Sequence, residues 1–152
     1  MTRIDFYLLP VAEPHGKLSF ACRLAEKVFR EGRHVHLHAS DGDEAAAIDA
    51  LLWSFRDTSF VPHRRLDTPG DEPVRVLIGW GEQLTDHHDV LINLSRDVPP
   101  LFGRFERVAE IVLDDSEARA ASRTRWRFYQ ERGYPLAHHD LQHLRGGGSH
   151  DA

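Results

Sequence analysis

Short runs of apolar and β-branched residues alternate with segments of helical periodicity, and this alternation restricts the fold of the chain more than any other feature. The runs that predict strands cover residues 3–9, 33–39, 74–79, 89–94 and 108–113. Helical periodicity covers residues 17–31, 44–55 and 115–132, and a short helix is predicted at 99–105. Strands joined through helices usually pair in parallel, so this order predicts an α/β fold with a mostly parallel sheet.

The chain length of 152 residues fits one domain with one core, and no segment is long enough to act as a linker. Residues 56–73 lack periodicity and are rich in Asp, Pro, Arg and Gly, which predicts a long loop. Gly32 and Gly133 are expected to end two of the helices. We expect the domain to cover residues 1–141 and residues 142–152 to form a disordered tail.

Charge and composition exclude several classes of protein. The formal net charge of −5 argues against extended contact with nucleic acid, which normally needs a basic surface. No window approaches the roughly 20 apolar residues of a membrane span. The first apolar run stops at Pro10 without a small-residue cleavage site, so it predicts a strand and not a signal peptide. Cys22 is the only cysteine, which makes a reducing cytoplasm the simplest location.

Sequence patterns of nucleotide binding and covalent catalysis are missing. The first strand–helix connection, residues 8–19, contains neither of the glycine patterns that cradle phosphates. Gly16 and Lys17 match only a small part of a phosphate-binding loop, since the upstream glycine of that pattern is missing. Cys22 lies on the apolar face of a predicted helix and is interpreted as a small core residue. The sequence therefore favours a binding protein without a cofactor over an enzyme.

The histidines invite a metal interpretation that their spacing does not support. His34, His36 and His38 alternate along a predicted strand, so their side chains share one face of the sheet. No cysteine or carboxylate stands at a recognised zinc spacing from them. We expect a half-exposed sheet face near an edge, or partial burial against a helix, and no metal.

The last predicted helix carries an unusual outward face. At about 100° per residue, five residues fall on one arc of this helix and form the face. They are Arg119, Arg123, Trp126, Arg127 and Gln130. The opposite arc, expected to face the core, holds Ala121, Thr124 and Phe128. Glutamates on this helix are too few to pair its arginines, which include Arg125 and Arg132. The face is either a solvated charged surface or a site for a ligand that is both anionic and apolar.

Aromatic residues crowd a second region, at the end of the predicted helix 44–55 and in the loop after it. Trp53 falls off the apolar stripe of that helix, and Phe60, Val61 and Pro62 follow in the loop. Aromatic residues in loops are typical of contact surfaces, although core packing is the alternative for any one of them. We expect a hydrophobic patch that binds another protein.

Five segments together resemble one known family. They are FYLL at 6–9, DALLW at 49–53 with SFVPH at 59–63, DVLINL at 89–94, and RTRWRFYQERGYPL at 123–136. From Thr2 to about Leu141 the chain is similar to the chi subunit of bacterial DNA polymerase III holoenzyme. The resemblance implies a Rossmann-like sheet with helices on both faces and no bound dinucleotide. It also implies a non-catalytic member of the clamp-loader assembly that binds the psi subunit and the acidic C-terminal tail of single-stranded DNA-binding protein.

The resemblance also assigns residues to these two partners. Arg123 matches the anchor of the tail carboxylate, Trp126 stands where an aromatic residue is usual, and Arg127 keeps a positive charge. Val112 resembles part of the apolar floor of that pocket, and Arg119 belongs to the same patch. On the psi side, the implied contacts are Phe60, with Val61, Pro62 and Trp53 beside it.

Two other classes of function stay open at this point. One is a nucleotide-binding α/β enzyme of small-molecule metabolism, which the first strand–helix connection argues against. The other is direct binding of single-stranded DNA through residues 119–132, which the net acidity argues against. The leading hypothesis is a bridging subunit that reaches DNA only indirectly.

Overall fold

A computed structural model of the chain describes residues 1–54, 61–68, 73–83 and 85–141. Within them, the strands are β1 (Arg3–Leu8), β2 (Val35–Ala39), β3 (His63–Arg65), β4 (Val76–Trp80), β5 (Val90–Asn93), β6 (Arg107–Val112) and β7 (Leu136–Asp140). The α-helices are α1 (Pro14–Arg30), α2 (Gly42–Ser54) and α3 (Ser116–Glu131), and a single 3-10 turn covers Phe102–Arg104. The five predicted strands and three long predicted helices are all confirmed to within about three residues of their ends.

The strands form one sheet in the order β3-β4-β2-β5-β6-β1-β7, and every pairing between them is parallel. Its central strands β4, β2, β5 and β6 consist almost entirely of buried residues. A parallel strand that is covered on both faces needs such a continuous apolar run, which explains why these strands are readable in the sequence. The prediction of a mostly parallel sheet is confirmed.

Helices cover both faces of this sheet. Helices α1 and α2 pack on one face, where Cys22, Ile48 and Ile92 belong to the larger apolar cluster. Helix α3 packs on the other face, where Tyr129 joins a smaller cluster with Phe6 and Val108. Burial raises the pKa of the Cys22 thiol to about 12, in agreement with its assignment as a core residue.

The helix ends follow the sequence signals. Gly32 and Gly133 have φ angles of +83° and +79°, in the left-handed region that favours glycine, directly after α1 and α3. Asp115 begins α3 as its N-cap, since its side chain accepts a hydrogen bond of 2.7 Å from the backbone N–H of Ala118. The start of α3 and the ends of α1 and α3 are therefore set by residues that are local in the sequence.

Two strands were absent from the prediction, and both lie at the margins of the sheet. Strand β3 falls within residues 56–73, so the expectation of a continuous loop there is wrong over His63–Arg65. Strand β7 follows α3 and pairs with β1. Both are short and polar, HRR and LAHHD, because an edge strand needs little apolar surface. The predicted disordered tail, residues 142–152, lies outside the described residues.

The histidine strand lies in the centre of the sheet, so the expectation of a half-exposed face near an edge is wrong. Strand β2 runs between β4 and β5, and His36 and His38 are 3% and 8% exposed. Burial, together with nearby His38 and His87, lowers the pKa of His36 to about 3. Burial also lowers the pKa of His38. Both rings are therefore neutral in the folded protein at pH 7.

This burial predicts a pH-dependent stability. The pKa of His36 is about 3 in the folded protein, against 6.5 for an exposed histidine side chain, so the unfolded chain binds the proton first as the pH falls. The contribution of neutral His36 to the free energy of unfolding is complete above pH 6.5. Below pH 6.5 this free energy falls by up to about 1.4 kcal/mol for each pH unit. Urea unfolding at pH 7, 6 and 5 measures this slope. It should be shallower in His36→Gln, and unchanged in the control His15→Gln at the exposed start of α1.

Candidate functional site

A buried carboxylate on β6 fixes the position of helix α3. Glu110 is 0% exposed and accepts hydrogen bonds from Arg125 Nε at 2.9 Å, Tyr129 Oη at 2.6 Å and Asn93 Nδ2 at 2.8 Å. Arg125 also donates from Nη1 to the backbone oxygen of Arg96 at 2.7 Å. The network joins β5, β6 and α3, so it sets both the rotation of the helix and its distance from the sheet.

The same network compensates a charge that would otherwise be costly to bury. Burial raises the pKa of the Glu110 carboxyl, while the charge of Arg125 and the donors of Tyr129 and Asn93 favour its ionised form. Burial and the charge of Glu110 raise the pKa of Tyr129, which keeps that hydroxyl protonated as a donor. All three partners donate to the carboxylate, and removal of any one leaves a buried polar group unsatisfied.

This arrangement overturns the predicted core face of the helix. The residues of α3 that are buried are Ser122, Arg125 and Tyr129, whereas Thr124 is exposed and Ala121 and Phe128 are half-buried. A helical projection that ranks residues by hydropathy places an arginine outward. Here Arg125 turns inward because Glu110 provides a buried anion for its guanidinium.

The expectation of unpaired arginines along α3 is also wrong for most of them. Besides Arg125, Arg119 forms an ion pair with Asp114. Arg132 stacks on the ring of Phe128, with its guanidinium carbon 3.6 Å from the ring centroid. Arg123 and Arg127 differ from these. Both are exposed, and in the described part of the chain their guanidiniums have no acidic partner.

Trp126 lies beside these two exposed arginines and is half-buried. Its ring centroid is 5.2 Å from that of Phe6 on β1 and 6.1 Å from that of His138 on β7. The indole is thus held against the sheet by aromatic contacts while part of it stays accessible. Val112, 2% exposed at the end of β6, belongs to the apolar cluster on which Trp126 packs.

We call Arg119, Arg123, Trp126 and Arg127 the cationic face of α3. Helical spacing places Arg123 one turn from Arg119 and one turn from Arg127. Trp126 lies between Arg123 and Arg127 in the sequence. Guanidinium groups bind carboxylates through two parallel hydrogen bonds, and an indole offers a flat apolar wall. The face is suited to a ligand that carries a carboxylate next to an apolar group. Strand β7, with His138, lies at the border of this face. No pattern in the sequence predicted this strand or the position of His138.

The second predicted surface lies at the opposite edge of the sheet. Trp53 is 60% exposed, and its ring meets that of His63 on β3 edge-on, with 4.8 Å between centroids. His63 donates from Nδ1 to the Val61 carbonyl at 2.7 Å, and its Nε2 lies 3.1 Å from Asp49 Oδ1 at an angle that makes no hydrogen bond.

The structure divides the other residues predicted for this surface. Val61 is 2% exposed and packs in the larger apolar cluster, so the expectation that it lies on the surface is wrong. Pro62 is half-buried next to it. Phe60 lies outside the described residues. Trp53 is therefore the largest apolar group that the described residues expose here.

The edge where α/β sheets bind nucleotides is occupied by the chain's own side chains. Lys17, on the first turns of α1, places its Nζ 2.8 Å from Glu44 Oε2 and 3.0 Å from the backbone oxygen of Leu94 after β5. Lys17, the lysine of the partial phosphate-loop match, is thus bound to groups of the chain itself. In the ranges that the structure describes, no group of three His, Cys, Asp or Glu side chains converges as a metal site. None of the described helices is long and apolar enough to cross a bilayer.

The buried network yields a stability prediction. Glu110→Met should destabilise the protein by about 3–5 kcal/mol, because it leaves the guanidinium of Arg125 buried without its anion. Arg125→Met should have a similar effect, and the double substitution should recover much of the loss because it removes both charges. Urea unfolding measures all three, with Arg96→Ala, whose side chain is 65% exposed in its ion pair with Glu117, as a control expected within about 1 kcal/mol. Strictly additive losses would contradict the coupling.

Comparison with known proteins places this arrangement in a family. A family model described as "DNA polymerase III chi subunit, HolC" matches residues 1–137. A protein named DNA polymerase III subunit chi from Pseudomonas aeruginosa is 44% identical over 144 residues, which cover 95% of this chain and 100% of the relative. Proteins of the same name from Haemophilus influenzae and Escherichia coli are 28% and 26% identical, over 88% and 90% of this chain and 93% and 96% of their own lengths.

Proposed function

This chain belongs to the DNA polymerase III chi family, and we propose that its cationic face binds the acidic C-terminal tail of single-stranded DNA-binding protein. As a chi subunit it is an accessory component of the DNA polymerase III holoenzyme in DNA replication and carries no catalytic site of the polymerase. In this proposal, the protein acts in the cytoplasm within the clamp-loader assembly, tethers the replicase to coated single strands, and contacts DNA only indirectly.

One observation carries the assignment of the tail site. Arg123 and Arg127 are exposed, lack acidic partners within the described residues, and flank the half-buried indole of Trp126. The family resemblance implies a tail that is acidic and ends in an apolar residue with a free carboxylate. Its carboxylate would bind the guanidinium of Arg123, and its last side chain would rest on Trp126 above the apolar cluster that contains Val112.

Exposed ion pairs contribute little each, so the expected affinity of this contact is modest. A modest contact suffices for a tether, because linkage through a second partner raises the local concentration of the two proteins. The net charge of −5 supports a local, specific contact over general attraction to nucleic acid.

The second partner in this proposal is the psi subunit, bound at the surface of Trp53 and Pro62, to which Phe60 also belongs by resemblance. Trp53 contacts β3 at one edge of the sheet, and Trp126 contacts β7 at the other edge. Six strand spacings separate these edges, about 29 Å. Both partners therefore have room to bind at the same time, as a bridging subunit requires.

The tail assignment predicts the effect of one substitution. Arg123→Ala should weaken the binding of a peptide with the tail sequence by up to about fivefold, since an exposed charge pair contributes up to about 1 kcal/mol. Calorimetric titration measures the affinity of the peptide for each protein. The affinity of the peptide for the unaltered protein should also fall as the salt concentration rises. Arg23→Ala, an exposed arginine on α1 at the other face of the sheet, is the matched control. Equal affinities for all three proteins would refute the assignment.

A separate prediction concerns the psi surface. Trp53→Ala should abolish or strongly weaken complex formation with purified psi, as measured by size-exclusion chromatography and titration. Because Trp53 is 60% exposed, its replacement should change the free energy of unfolding by less than about 1 kcal/mol. Binding of the tail peptide should remain unchanged in this variant. If Trp53→Ala still forms the complex with undiminished affinity, psi binds elsewhere.

A further inference from the structure

Strand β7 presents outward-facing backbone groups along one edge of the sheet. It pairs with β1 on one side only, and no described strand lies beyond it. Ile4 N–H donates to the Pro135 oxygen at 3.0 Å, and Leu141 N–H donates to the Leu8 oxygen at 2.9 Å. Since backbone groups alternate in a parallel ladder, the N–H and C=O groups of Leu136 and His138 point away from the sheet.

The open edge of β7 and the cationic face of α3 lie next to each other. The ring of Trp126 meets that of His138 edge-on at 6.1 Å, so the side of α3 that carries Trp126 overlooks β7. Arg123 and Arg119 precede Trp126 by one and two turns and lie on that same side of the helix. A chain that rests on Trp126 therefore has arginines on one side and outward strand groups on the other.

The other face of β7 is anchored, which keeps its outer edge in place. His139 stacks on Tyr7 with 4.8 Å between ring centroids, and its Nε2 lies 3.2 Å from Asp5 Oδ1. Asp5 is held in turn by Arg107 at 2.9 Å. An edge strand fixed in this way and left open on its outer side is a template for strand addition.

We propose that β7 receives the acidic segment preceding the tail carboxylate as an added strand of the sheet. This inference deepens the proposed function and rests on it. The carboxylate lies on Arg123 and Arg127, the apolar last residue on Trp126, and the residues before it pair with the outward groups of His138 and its neighbours. Acidic side chains of such a strand would face Arg123, whose guanidinium has no acidic partner among the described residues, and Arg119, which shares its charge with Asp114. The backbone pairing supplies a contact that does not depend on the tail's side chains.

Substitution at His138 tests the pairing directly. His138→Pro removes the outward N–H at the centre of the open edge, yet it leaves the ladder to β1 intact because only neighbouring residues bond to β1. The matched control His138→Ala removes the ring and keeps the N–H. We expect the proline variant to bind the tail peptide about tenfold more weakly than the alanine variant in calorimetry, with circular dichroism confirming that both are folded.

A second measurement keeps the test decisive even if His138→Pro disturbs the fold. Tail peptides that are N-methylated at successive positions lose one backbone donor each, and in an added strand only every second position should matter. Alternating losses in affinity support the added strand. A uniform absence of effect, with Arg123→Ala still weakening binding, overturns strand addition and leaves the tail site standing. If Arg123→Ala and amidation of the peptide's carboxylate are both without effect, the tail site itself is refuted, and this inference with it.

Discussion

The ion pair between Glu110 and Arg125 is the interaction on which the orientation of the cationic face of α3 depends. A carboxylate in the middle of a sheet is tolerated only with complete hydrogen bonding, and the donors come from β5 and from two successive turns of α3. This requirement specifies one rotation of the helix. With Arg125 and Tyr129 directed at Glu110, Trp126 meets the sheet at its margin and Arg123 points to solvent.

The position of the two proposed binding surfaces follows from how the rest of the sheet is occupied. The carboxyl edge, where related architectures bind nucleotides, holds the ion pair between Lys17 and Glu44. The central strands are covered on both faces by buried residues. The two margins remain, and each offers an aromatic side chain beside polar groups. In the proposed function the sheet acts as a spacer, because its width separates the tail site from the psi site.

The polar edge strands make the margins of the sheet suitable for the two proposed binding sites. Strands β3 and β7 need few apolar residues, so they carry histidine, arginine and aspartate, half-buried or buried in β3 and mostly exposed in β7. In β7 the alternation places His139 against Tyr7 and Asp5 on one face and His138 against Trp126 on the other. One short strand thus links a stabilising cluster to the border of the cationic face.

The central strands, the three helices and their ends could be predicted from the sequence, because continuous apolar runs, helical periodicity and left-handed glycines are local signals. The sequence also singled out Arg123, Trp126 and Trp53 through residue chemistry and resemblance. Which arginine is buried depends on how α3 packs against the sheet. Arg123 and Arg125 are the same residue type two positions apart on α3, and they differ because Glu110 on β6 attracts one of them. Likewise, β7 became visible only through its pairing with β1, since its polar sequence carries no strand signal of its own.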